Sequence, residues 1–118
     1  MPYEFRTDPK LVDMYIGLNS DFFDGKLPTI PIGWAKMKTG DESCRAFTHY
    51  DEPLAIVFNV ALRKLYRSCE THLAFTLLHE MLHVKLADAH RRGAKPHGRL
   101  FEKEMLRVLN NRKIKDIF

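Results

Sequence analysis

The chain has 118 residues, 45% hydrophobic, 29% charged and 11% aromatic, the profile of one globular domain over residues 1–118 rather than a disordered or fibrous segment. It holds no run of about 18 uncharged apolar residues, opens without the basic-then-apolar order of a signal peptide, and carries only Cys44 and Cys69, with no CxxC pair. A membrane span, a disulfide scaffold and an all-cysteine zinc ribbon are thereby disfavoured, and a reducing cytoplasm is the expected compartment.

Net charge is +4, unevenly spread: residues 85–118 hold ten Lys or Arg against four Asp or Glu, a net of +6, while the first 84 residues carry −2. The basic side chains are Lys85, Arg91, Arg92, Lys95, Arg99, Lys103, Arg107, Arg112, Lys113 and Lys115, a set that makes non-specific DNA a candidate partner and association with the nucleoid its consequence. Aromatic residues do not alternate with this basic run, so a base-stacking platform and sequence-specific binding are not expected.

Taken in chain order, Asp8 is a helix N-cap with Pro9 in the first turn, and Leu11, Val12, Tyr15, Ile16, Leu18 and Phe22 follow at helical spacing. Asp24-Gly25 stops that helix; Ile30, Ile32 and Trp34 then alternate along a strand that Pro31 marks as an edge. Residues 45–50 and 54–59 read as two further strands joined by the Asp51-Glu52-Pro53 turn into an antiparallel hairpin, which makes a three-stranded sheet. Residues 61–67 add a short helix. Ser68 caps a long helix, with Glu70 near its positive end, running to about His90. Gly93 and Pro96 break it, and Phe101, Met105, Val108 and Leu109 define a last helix. The class is α+β.

Apolar residues from Leu73 to Leu86 cover most of the long helix's circumference, so it is a buried, central helix. Its polar exceptions concentrate: His72, Thr76, His79 and His83 share one stripe, with Glu80 beside it. His79-Glu80-Met81-Leu82-His83 is an HExxH motif. Residues four apart on a helix stand about 6 Å from each other, so two imidazole nitrogens can converge on one ion, zinc by preference, at bonds of about 2.0–2.1 Å. Glu80, one residue on, is placed to act as a general base on a water activated by the ion rather than as a ligand. Without an ion, two histidines and an acid on a buried helix would be costly polar burial.

A catalytic zinc takes three protein ligands and leaves a fourth position open. A ligand six residues after His83 would be Ala89, which has no donor; His90 lies about two turns along the helix, roughly 10 Å away, and reads as a surface residue. His97 follows the Gly93 break, and the seven residues from His90 span up to about 23 Å, enough to return to the ion. Pro96 and Gly98 flank His97 and suit a sharp turn there, so His97 is the preferred third ligand. Glu102 and Glu104 are the alternatives, a glutamate on the following helix completing the site.

These segments resemble the SprT-like (Spartan-type) zinc metalloprotease family. Residues 77–83, Leu-Leu-His-Glu-Met-Leu-His, resemble its active-site helix; residues 96–101, Pro-His-Gly-Arg-Leu-Phe, resemble the later segment that supplies its third ligand; residues 19–28 and Trp34 resemble the end of its first helix and the strand after it. The resemblance implies a zincin-like α+β domain: N-terminal helix, small three-stranded antiparallel sheet, central HExxH helix and C-terminal helix. It implies one zinc ion held by His79, His83 and His97, with Glu80 as catalytic base, in an endopeptidase whose targets include DNA-bound or DNA-crosslinked proteins. The cysteine zinc ribbon of some bacterial members has no counterpart in these 118 residues.

His49 and Tyr50 are weak candidates for a second oxyanion donor, and the strand around Ile32 to Trp34 is a candidate edge for an extended substrate. Two other readings compete. Glu42-Ser43-Cys44 faintly echoes the upstream cysteine ligand of a deformylase-like metallohydrolase, and a zinc-stabilised, non-catalytic DNA-binding module would use the histidines without Glu80.

Overall fold

The computed structural model describes residues 5–36, 46–50 and 54–117. Glu42-Ser43-Cys44, Arg45 and the Asp51-Glu52-Pro53 turn lie outside the described residues. The element order is β1 (Phe5–Thr7), α1 (Pro9–Phe23), β2 (Ile32–Ala35), β3 (Ala46–His49), β4 (Ala55–Asn59), α2 (Arg63–Ser68), α3 (Glu70–Lys85), α4 (Ala87–Arg91) and α5 (Arg99–Leu109), with single 3-10 turns before α2 and after α5. The class is α+β, as the sequence pattern requires.

Helix α1 begins where Asp8 accepts the Lys10 amide at 2.9 Å with Pro9 at the first helical position. The other carboxylate oxygen of Asp8 accepts the Trp34 indole N–H at 2.8 Å, so one capping residue also fastens α1 to β2. Leu11, Tyr15, Leu18 and Phe22 recur on the buried face, and the helix ends at Asp24 in the left-handed region.

The sheet departs from expectation in three ways. Among the described residues it has four strands in the order β1-β2-β4-β3, β2 pairs parallel with β4, and β2 is an inner strand rather than an edge. Pro31 is compatible with that position because it lies just before the strand, where a missing N–H breaks no ladder bond, while its carbonyl still accepts the Ile56 amide. Among the described strands the edges are β1 and β3, so Ile32 to Trp34 has no free side for a substrate. The β3–β4 pair is antiparallel, as expected, with Thr48 opposite Ile56.

Strand β1 has only three residues, too few for a period-two pattern. It can approach β2 because Gly33 lies opposite Thr7 and has no side chain: a Cβ there would come within 2.0 Å of the Arg6 carbonyl oxygen. Gly33→Ala is therefore expected to detach β1 and cost roughly 3 kcal/mol of stability, read as a lower urea midpoint. An unchanged midpoint would mean that β1 contributes nothing to the fold.

Helix α3 runs through the core, with Leu77, Leu78, Met81 and Leu82 all at or below 1% exposure. Ser68 does not cap it. Ser68 ends α2, its hydroxyl donating to the Leu65 carbonyl at 2.8 Å, and Cys69 takes the cap position without a side-chain bond. Nor does α3 reach His90: it stops at Leu86, where ψ shifts to 13°, and α4 starts at Ala87, which is buried. Among the described residues no helix is long and apolar enough to cross a membrane.

Candidate metal centre

Two helices and one strand build the site. Helix α3 lies against β3 on one side and α5 on the other, and the α4–α5 connection brings a third imidazole over the first two. Gly93, at φ +100°, reverses the chain after α4, a conformation that costs side-chain-bearing residues strain. The backbone then runs through Pro96 and His97 to Gly98, which caps α5.

His79 Nε2 and His83 Nε2 each lie 3.2 Å from His97 Nε2, and ligand atoms from all three histidines fall within 4.8 Å of one another. Three bonds of about 2.0–2.1 Å in tetrahedral directions place their nitrogens about 3.3 Å apart, so the residues fit a metal ion. They could hold one with no other protein donor. Glu102 and Glu104 do not join them: Glu104 is engaged by Lys85 and Arg107, both at 2.8 Å, and Glu102 is exposed in the first turn of α5.

Burial prepares the imidazoles for a cation. His83 is 5% exposed, and loss of hydration, aided by His79, His97 and His90 nearby, drives its pKa down to about 4. His79 is lowered for the same two reasons, burial first and then His97. Both rings are thus neutral at physiological pH and present lone pairs without first shedding protons.

Glu80 adjoins His79 on α3 and is hydrogen-bonded to β3. Thr48 Oγ1 lies 2.9 Å from Glu80 Oε1 and 3.1 Å from the Glu80 main-chain carbonyl, so one hydroxyl proton is shared between them. Burial raises the Glu80 pKa to about 7, against the opposing pull of the Thr48 hydrogen bond. Such a carboxylate is poised to take and return a proton near neutrality. A cavity of about 400 Å³ adjoins it, bounded by Ala46, His72, Phe75, Thr76, His79 and Glu80. The polar stripe read from the sequence therefore lines that cavity as well as the nitrogen cluster.

Three residues escaped sequence reasoning. Thr48 shares the α3-facing side of β3 with Ala46 by the two-residue period of a strand, but which face meets α3 is a tertiary fact. Phe101 lies four residues after His97 and stacks on His83, with ring centroids 4.7 Å apart and planes at 22°; it also touches His79 and His97, both at 5.0 Å. Its ring closes the apolar side of the cluster. His90 is the third, and its reading as a surface residue is corrected: it is half-buried, and its Nε2 sits 3.2 Å from His83 Nδ1. Of the two oxyanion candidates, Tyr50 packs its ring against His90 and feels the charge of Glu80. Its hydroxyl pKa is pushed up to about 12 by burial and by the charge of Glu80, so the phenol remains a donor at neutral pH.

Residues 11–116 match the model of the SprT-like family, a span that contains every residue of this site. No curated protein matches the chain significantly.

Proposed function

The chain belongs to the SprT-like family, and on that premise we propose that it is a zinc-dependent endopeptidase with Glu80 as general base. One observation carries this reading: the nitrogens of His79 and His83 each come within 3.2 Å of His97 Nε2, all three within 4.8 Å of one another, beside a buried carboxylate that is not one of them. An all-imidazole donor set suits zinc, which when bound supplies Lewis-acid polarisation and a lowered pKa for water.

The protein's own groups supply the rest. Glu80 takes the proton of the attacking water and passes it to the leaving amine, held in orientation by Thr48. Tyr50 offers its hydroxyl proton towards the developing oxyanion. Strand β3 packs against α3 and contributes Ala46 to the cavity wall, so an extended substrate would pass beside it and not beside β2, which is paired on both sides. The neighbouring cavity then receives a substrate side chain, which makes selection loose and local. A non-catalytic zinc module has no use for a proton acceptor held at this place.

DNA-bound or DNA-crosslinked proteins are the substrate class we propose, following the family resemblance and the basic C-terminal third. Several of those cations are already engaged: Arg91 with Asp88, Arg107 with Glu104 and the Phe22 carbonyl, and Lys113 with Asp21. Lys95 and Arg99, exposed on either side of His97, place positive charge at the rim of the site itself.

Zinc-loaded protein is expected to cleave an unfolded protein such as reduced, alkylated casein, to stop when a chelator is added and to resume with zinc. Adding DNA is expected to accelerate cleavage of a DNA-binding substrate at low salt, with the gain vanishing as salt rises. No cleavage in any zinc-loaded condition refutes the protease reading. Cleavage indifferent to DNA refutes only the substrate class.

A further inference from the structure

The hydrogen-bonding capacity of His83 points to a residue that acts on the metal centre without touching the ion. His83 contributes Nε2 to the nitrogen cluster, so a ligating His83 carries its proton on Nδ1. That Nδ1 faces the Nε2 of His90 at 3.2 Å, and His90 Nδ1 in turn faces the main-chain carbonyl of Ala94 at 3.3 Å. A carbonyl oxygen only accepts. The proton of His90 must therefore sit on Nδ1, which leaves its Nε2 as an acceptor for His83. Only this assignment satisfies all three contacts; the reverse sets a lone pair against the Ala94 oxygen and a proton on the nitrogen that would meet the metal.

We propose that His90 is a positioning residue for the metal centre: it accepts the Nδ1 proton of His83 and, anchored on the Ala94 carbonyl, holds that ligand in the tautomer and orientation that turn Nε2 towards the ion. This rests on the metal-centre reading above. Metal-ligating histidines commonly donate their second nitrogen to such a partner, a carboxylate or carbonyl being the usual acceptor, and loss of the partner costs metal affinity. Here a second imidazole fills the place and passes the polarity on to a carbonyl.

Local structure is arranged to hold it. Helix α3 ends at Leu86, whose φ of −97° and ψ of 13° interrupt the helical run, and α4 follows from Ala87 and carries His90, whose ring reaches His83. The Gly93 amide donates to the His90 carbonyl and the Ala94 amide to the Ala89 carbonyl, a tight reversal that sets the Ala94 carbonyl against the ring. Tyr50 packs on His90 edge-on, with centroids 5.6 Å apart, and its carbonyl accepts from Arg91 on the same helical turn. The end of β3, α4 and the metal ligand are thus mechanically joined through one ring.

Two substitutions separate hydrogen bonding from packing. His90→Phe keeps a ring against Tyr50 but accepts nothing from His83, whereas His90→Gln restores an acceptor near the same place. Zinc affinity measured by chelator competition is expected to fall about 10- to 100-fold in His90→Phe. It is expected to recover to within about fivefold of the parent in His90→Gln, with the visible spectrum of the cobalt-substituted protein shifted only in His90→Phe. Metal-free His90→Phe should unfold at the parental temperature. Parental affinity in His90→Phe, or equal weakness in both variants, overturns the proposal. So does a second bound zinc in the parent that His90→Phe lacks, since His90 would then be a ligand. A parent protein that binds no zinc refutes the metal centre itself, a result distinguishable from these.

Discussion

Glu80→Gln is expected to leave the three imidazoles and their ion in place while lowering peptide hydrolysis by about 10³-fold or more, the upper range for loss of a general base. Glutamine retains an oxygen for the Thr48 hydroxyl, so the local geometry survives. The same substitution has a second signature in the metal-free protein. With its pKa raised from 4.5 to about 7 in the fold, Glu80 keeps its proton between those values while the unfolded chain releases one. Stability therefore falls as pH rises through that window, and the penalty is complete above pH 7. Glutamine carries no such penalty. The variant should match the parent near pH 4.5 and exceed it by about 3 kcal/mol at pH 8, measured by urea denaturation. His83 acts in the opposite sense, its folded pKa of about 4 making stability fall as pH drops from 6.5 to 4, but it is common to both proteins and cancels in the difference. Cleavage within tenfold of the parent removes Glu80 from the mechanism; a stability difference independent of pH removes the account of its burial.

What could be read in advance followed from how local each constraint is. The HExxH pair needed only the helical repeat, because four residues along α3 fix the separation of His79 and His83 whatever surrounds them. His97 was within reach because Gly93 marks a reversal that glycine alone performs cheaply. The sheet was harder. Its first strand has three residues and no periodicity, and the one sign of it was Gly33, whose missing side chain matters only once β1 lies across it. Pro31 misled because a proline just before a strand and one within an edge strand look alike in sequence. The stop at Leu86 has neither glycine nor proline to announce it; Leu86 packs against the core and Ala87 is buried, so tertiary burial overrides a pattern that reads as continuous helix. On a straight helix His90 stands two turns from His83, and the interruption at Leu86 lies between the two rings that meet. Thr48 and Phe101 likewise joined the candidate site only when β3 and α5 packed on α3.

His97→Ala is the counterpart to Glu80→Gln, because it attacks metal binding while sparing the fold. His97 is exposed and stands on a connection rather than in a packed element, so its truncation should change metal-free stability by no more than about 0.5 kcal/mol. Removing a direct ligand must cost more than the roughly 100-fold ceiling typical of outer partners. At free zinc about 1,000 times the parental dissociation constant, binding to the native state stabilises the parent by about 4.1 kcal/mol. The same zinc stabilises His97→Ala by at most about 1.4 kcal/mol, and hydrolysis is lost. His83→Ala offers the contrast: that ring is buried and stacked on Phe101, so its removal should cost about 2 kcal/mol or more even without metal. The two variants would then agree in losing zinc and differ in the stability of the empty protein. If His97→Ala kept parental zinc affinity, the ion would be held by His79, His83 and some other group, and the 3.2 Å convergence of Nε2 atoms would no longer identify the ligand set.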